Sequence, residues 1–268
     1  MLRTRVYTSI VMVSLIAAVL FVLPAWCGTG LLAAILLVGA WEWAAFAECR
    51  SIGARSAYVL ATITFAYVTA KGLSMGNIPQ LLWVAVVWWV VAGIRLVYAP
   101  ERVSKSMTLV AGWLTLLPAL AAVVRLFVGA HRLSGAVLFL ILVGLVAAAD
   151  IGAYFAGRQF GRIKLAPHVS PGKTWEGVIG GALLVTLVAY LVATYFDFPR
   201  ASFVGLAGTV FVASVVGDLT ESLFKRGAGL KDSGFILPGH GGILDRLDSL
   251  TAAAPFYVLG LGWMGILQ

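Results

Sequence analysis

Charge is scarce in this chain. Only 11% of its 268 residues are Asp, Glu, Lys or Arg, against about 25% in ordinary soluble domains, so composition excludes a soluble globular protein. Cysteine is nearly absent: Cys27 and Cys49 are the only two, which make neither a disulfide framework nor a zinc site. The halves share no internal repeat, and there is no low-complexity or linker segment. The apolar runs lack period-two alternation and are longer than the ~10-residue segments of a membrane β-barrel. No nucleophilic triad and no zinc-protease pattern is present. Acids number 11 against 19 Lys and Arg, so each acid has to be accounted for.

What the chain has in quantity is apolar surface, with 61% hydrophobic residues. A bilayer core takes about 20 mostly apolar residues per helix. Runs of that kind lie at 6–26, 29–47, 57–73, 78–98, 107–128, 135–157, 176–196, 202–221 and 249–267. The expected fold is therefore all-α, a polytopic integral membrane helical bundle of about nine transmembrane helices. With that topology, the amino terminus and alternate loops collect every basic residue except Lys71, Arg125, Arg132 and Arg200. The positive-inside rule places that side in the cytoplasm and the carboxyl terminus outside. Cys27 and Cys49 then lie on opposite sides and do not pair. The first run ends in "LPAWC", and Trp26 suits signal cleavage poorly, so it is read as a retained span.

Residues 1–130 read as a scaffold of transmembrane helices, rich in aromatic stretches such as "LLWVAVVWWVV". Interfacial anchoring and lipid packing account for those tryptophans. Glu42, in "WEW", is an intramembrane carboxylate, open to either a functional role or an internal polar contact. Residues 131–268 read as the catalytic region, because two long polar loops interrupt the apolar runs on the cytoplasmic side. They are "GRQFGRIKLAPHVSPGKTWEG" (157–177) and "LFKRGAGLKDSGFILPGHGGILDRLD" (223–248).

Five of the 11 acids lie between residues 218 and 248. Asp218 and Glu221 are three apart, as are Asp245 and Asp248, so on helices each pair shares a face. Carboxylates gathered at a bilayer face repel unless a cation separates them. A divalent ion with hard oxygen ligands, such as magnesium, suits them. The alternative is a set of salt bridges to Lys225, Arg226 and Arg246, with Glu221 and Lys225 at the favourable four-residue spacing. Asp150, in or at the end of a span, is a candidate for the same site. Gly239, Gly241 and Gly242 allow close approach of backbone amides to an anion, and Lys225, Arg226, Lys231 and Arg246 flank them. His240 is suited either to a phosphate oxygen or to bracing the turn. "SPGKT" is not a P-loop, since Pro167 stands where that motif needs glycine. Ser170 and Lys173 are instead candidates to meet an anionic substrate or lipid headgroup, against plain positive-inside charge.

The run Ser222, Lys225, Arg226, Lys231, Asp232, Pro238, His240, Gly241, Gly242, Asp245, Arg246 and Asp248 resembles the signature of the phosphatidate cytidylyltransferases, or CDP-diacylglycerol synthases. The "KLAPHVSPGKTWEG" loop is similar to that family too. One departure is Ile151, where a small hydroxyl residue is more usual. The resemblance implies transfer of CMP from CTP to phosphatidic acid with magnesium required, a monovalent cation such as potassium beside it, and a homodimer in a bacterial inner membrane. It also implies magnesium on Asp218 and Asp245, with Asp248 and Asp150 in support, and neutralisation of phosphate by Lys225, Arg226, Lys231 and Arg246. No nucleic-acid partner is expected. A CDP-alcohol phosphotransferase is a rival, but its Asp-Gly start and four-residue aspartate spacing are missing. An ion-coupled transporter using Glu42, Asp150 and Asp218 is another, though the charges gather on one face and no paired interrupted helices mark an inverted repeat. A non-catalytic lipid-binding scaffold leaves the acidic cluster without a purpose.

Overall fold

A computed structural model describes residues 25–72, 78–98, 103–128, 133–236 and 241–267. The expected span at 6–26 lies outside the described residues except at its last two positions. Eight helices follow among the described residues: α1 (Ala25–Phe46), α2 (Ile52–Gly72), α3 (Ile78–Tyr98), α4 (Lys105–Val128), α5 (Gly135–Phe160), α6 (Trp175–Tyr195), α7 (Arg200–Gly227) and α8 (Leu244–Trp263). The fold is an all-α bundle, and α3 to α7 are each long and apolar enough to cross a membrane. Large apolar side chains such as Leu60, Val87, Leu183 and Leu191 stay exposed on its outside. A soluble protein rarely shows such continuous apolar surface, and here it is the face for lipid.

The main core joins α4 to α8 around Leu126, Leu138, Leu142, Phe203, Tyr257 and Leu261. A second core packs α1 and α2 against α4, with Trp43, Tyr58 and Leu116 at its centre and Phe224 and Leu244 reaching in from α7 and α8. The tryptophans are not all at the interface as expected. Trp43 is buried and donates its indole N–H to the Thr108 carbonyl at 2.7 Å, while Trp88 and Trp113 donate to Thr115 and Thr62. A buried indole N–H usually finds a partner, and threonines supply it for these three, whereas that of the buried Trp89 has none. Trp83 remains on the outside.

Helices α5 and α6 pack along a seam of small residues. A Cβ on Gly152 would lie 2.5 Å from the Gly180 carbonyl oxygen, and one on Gly181 would lie 2.8 Å from that of Ala149. Small residues let membrane helices approach at backbone distance. Between these two helices the chain makes a short antiparallel hairpin, β1 (Lys164–Ala166) and β2 (Ser170–Thr174), pairing Lys164 with Thr174 and Ala166 with Ser170. The sequence reads as a plain loop here because Pro171 and Gly172 are poor strand formers. The hairpin is instead anchored at its ends. Trp175 N–H donates to Ile163 O at 3.0 Å, Glu176 accepts from Ile163 N–H, and Thr174 Oγ1 caps α6 by accepting from Gly177 N–H at 3.2 Å.

Helix α7 continues beyond its apolar run. Its 28 residues rise about 42 Å, more than a ~30 Å hydrocarbon core, so its last turns stand at or beyond one membrane face. Those turns carry Asp218, Glu221 and Lys225. Helices α7 and α8 thus take in residues 223–227 and 244–248 of the second polar segment.

Candidate active site

A cavity of about 360 Å³ opens where α5, the hairpin, α6, α7 and α8 meet. Ala149, Ala153, Val178, Phe211 and Val215 give it apolar walls, and Asp150, Lys173 and Asp218 face it from three different elements. The glycine seam fixes the spacing of two of its walls, since Gly157 and Gly177 line the cavity where α5 and α6 touch. Lys173 on β2 forms an ion pair with Asp218 on α7. One turn on, Ser222 Oγ donates to Asp218 Oδ1 at 3.4 Å. The Asp218 charge acts on both Asp150 and Asp248, and Lys173 and Arg246 act on Asp150 with the opposite sign. Asp248 itself accepts from Ser249 N–H at 2.7 Å. Three carboxylates and two cations therefore share one field at the end of the bundle.

Beside this cavity lies a second, drier cluster, organised by the start of α8. Helix N-termini leave backbone N–H groups without intrahelical partners, and Ile243 at the cap has no side chain to serve them. Glu42, from α1, fills that need: its carboxylate accepts from Ile243 N–H at 3.0 Å and Leu244 N–H at 2.9 Å. A carboxylate at the positive end of the helix dipole is favourable as well. Ser233 Oγ lies 2.9 Å from Glu42 Oε2 and 3.0 Å from Asp245 Oδ2, and its single proton serves one of them at a time. Asp245 Oδ2 also accepts from Ser233 N–H at 2.8 Å and Gly242 N–H at 2.9 Å.

Lys225 completes the cluster, 2.7 Å from Asp245 Oδ1 and 3.2 Å from Glu221 Oε1, with all three side chains under 10% exposed. For Glu221 the salt-bridge alternative is the one observed. Burial pushes the Asp245 carboxyl up, but the hydrogen bonds from Lys225, Gly242 and Ser233 outweigh it and hold it below the ordinary 3.8. Two glycines permit the packing. Gly241 has φ +84°, and a Cβ there would lie 2.6 Å from Asp245 Oδ2; a Cβ on Gly242 would collide with Ser233 Oγ and the Glu42 carboxylate. The amide of Gly242 thus holds one of the protein's own carboxylates.

The expected site residues therefore divide. Asp150, Lys173 and Asp218 meet in the cavity, with Ser222, Asp248 and Arg246 adjoining them. Lys225, Asp245, Gly241 and Gly242 belong to the dry cluster. Arg226 is exposed and donates to the Leu230 carbonyl at 3.1 Å, closing the end of α7. Lys231 is exposed on the following loop. Ser170 begins β2 outside the cavity lining, and His240 falls outside the described residues. Among the described residues no three His, Cys, Asp or Glu side chains form a ready metal cage. Ser233, Tyr154 and Arg158 also belong to these two clusters. The last two are marked in the sequence by following Asp150 at successive four-residue intervals, which puts all three on one face of α5. Ser233 carries no such mark.

A polytopic helical membrane protein with a carboxylate and cation cavity at one end of its bundle is the class that the fold and site define. Within that class, the chain belongs to the cytidylyltransferase family, whose profile it matches over residues 3–263. It is 39% identical to the phosphatidate cytidylyltransferase of Haemophilus influenzae, over 96% of this chain and 97% of that protein. It is 40% identical to the protein of the same name from Pseudomonas aeruginosa, over 98% and 99% respectively. A chloroplastic phosphatidate cytidylyltransferase of Arabidopsis thaliana is 48% identical over 122 residues, covering 45% of this chain and 31% of that one.

Proposed function

We propose that the protein transfers CMP from CTP to phosphatidic acid, giving CDP-diacylglycerol and pyrophosphate. The observation that carries the reading is the meeting of Asp150, Lys173 and Asp218 in a cavity at the end of a membrane bundle, in a chain similar over its length to enzymes of that name. A phosphate oxygen of the lipid attacks the α-phosphorus of CTP, the bond from that phosphorus to the bridging oxygen breaks, and pyrophosphate leaves with the electron pair. The substrate brings its own nucleophile, which accounts for a site without a serine or cysteine triad. Lys173 offsets the repulsion between the two anionic substrates, and the apolar walls give the lipid end of phosphatidic acid a surface to rest on.

Magnesium asks for one or two carboxylates, with phosphate oxygens and water completing its shell. Asp218 with Asp150 and Asp248 beside it meets that demand without a three-carboxylate cage. Asp245 Oδ1 accepts from Lys225 alone and keeps a lone pair with which Asp245 can join the set. When bound, the ion neutralises triphosphate charge and eases departure of pyrophosphate. A potassium ion beside it, a homodimer and residence in a bacterial inner membrane are parts of the same proposal. The distribution of basic residues supports a cytoplasmic site.

The test is pyrophosphate release by purified protein in detergent with CTP and phosphatidic acid, with and without magnesium. Turnover that needs all three components is the expected result. A folded, lipid-supplemented sample that releases none overturns the reading.

A further inference from the structure

Arg158 has no role in the reaction as derived so far. It lies in the last turn of α5, lines the same cavity as Asp150, Lys173 and Asp218, and is exposed there beside Tyr154. Its Nη1 donates to the Tyr154 hydroxyl at 2.9 Å, and the guanidinium lies 5.9 Å from the centre of the same ring. Among the described residues no carboxylate forms a salt bridge with it, although two line its cavity; Asp218 is paired with Lys173 instead. Asp150, Tyr154 and Arg158 follow one another at four-residue intervals, so the Cα of Arg158 lies about 12 Å along the helix axis from that of Asp150, and its guanidinium reaches back towards Tyr154. An arginine offers five N–H donors in a fixed fork that matches phosphate oxygens in pairs. One donor is used by Tyr154, and a planar cation fixed by one contact keeps the rest for an anion.

We propose that Arg158 binds a phosphate of the reacting substrates, with Tyr154 as the positioning residue that orients it. The proposal rests on the cytidylyltransferase reading, in which both substrates bring phosphate to this cavity: the triphosphate of CTP and the phosphomonoester of the lipid. The ordinary alternative is a cation that merely stabilises the carboxyl end of α5 through its dipole, and that role does not act on substrate affinity.

Steady-state kinetics of the full chain in mixed micelles separate these cases, with KM measured for CTP and for phosphatidic acid in turn. Arg158→Ala is expected to raise one of the two KM values about tenfold while kcat changes by less than about threefold, the scale of one charge-assisted phosphate contact. Arg158→Lys recovers part of the loss, and Tyr154→Phe raises the same KM by a smaller factor. A rise confined to CTP assigns the triphosphate, and a rise confined to phosphatidic acid assigns the lipid phosphate. Unchanged KM values for both substrates in Arg158→Ala, beside an active wild type, overturn the proposal and leave the reaction standing. If the wild type itself shows no turnover, the reaction reading fails. Equilibrium binding of CTP and of phosphatidic acid micelles then decides for Arg158, and equal binding by wild type and Arg158→Ala overturns its role.

Discussion

Asp218 and Asp245 carry the same functional group on two packed helices, α7 and α8, yet their surroundings differ in kind. Asp218 faces a cavity and is met by two flexible side chains, Lys173 and Ser222. Asp245 is enclosed by the Lys225 ammonium, the Ser233 hydroxyl and the backbone amides of Ser233 and Gly242. An ionised carboxylate has about four acceptor sites, and most of those of Asp245 are met by donors that are themselves part of the fold. Those of Asp218 are met by side chains that can turn to a ligand at small cost. The difference is between a carboxylate open to a cavity and one enclosed by the fold.

Breaking the dry cluster should have the largest effect. Lys225→Met keeps the volume but leaves Glu221 and Asp245 facing each other unneutralised, and loss of one partner from a buried charge group costs about 3–5 kcal/mol. Unfolding in detergent, followed by heat or denaturant, should show that loss. A variant as stable as wild type means the lysine contributes no net stability. Asp218→Asn sharpens the comparison from the other side: kcat should fall by about 10²–10³-fold, the scale of removing one electrostatic contact to the transition state, with the melting temperature nearly unchanged. Early melting with full kcat would exchange the roles assigned to the two regions.

The smallest effect is in acid. Because the Asp245 carboxyl is held below its ordinary 3.8, its ionised form adds stability that is complete above that value and is lost as pH falls through the lower folded value. Unfolding measured across that acid window should therefore vary less with pH in Asp245→Asn than in wild type. Equal slopes would mean that the hydrogen bonds to Asp245 do not favour its ionised form.

Much of the bundle was legible because apolar length is a strong signal: 78–98 is a helix over those same residues, and 135–157 and 176–196 differ from α5 and α6 by a few positions. The ends were less legible. Helices α7 and α8 run on into charged residues that hydropathy alone assigns to a loop, and the hairpin between α5 and α6 depends on anchors that no local pattern contains. In the site, Asp150, Lys173 and Asp218 stood out because polar groups beside apolar runs are few. The separate setting of Asp245 was hidden, since it depends on Ser233, which no local pattern marks, and through it on Glu42 in α1, far away in sequence. Glycine spacing around residue 241 implied close approach of an anion to those amides, and the Gly242 amide meets one, the Asp245 carboxylate.

Glu42 has a consequence for how the protein is made. Its partners at Ser233 and Leu244 lie 191 and 202 residues further along the chain, which at about 5–20 residues per second is a delay of roughly ten to forty seconds during synthesis. Through that interval a helix already emerging from the ribosome carries a carboxylate with none of these donors. Its final seating has to await α8, so the first helix described here is completed by the last one translated.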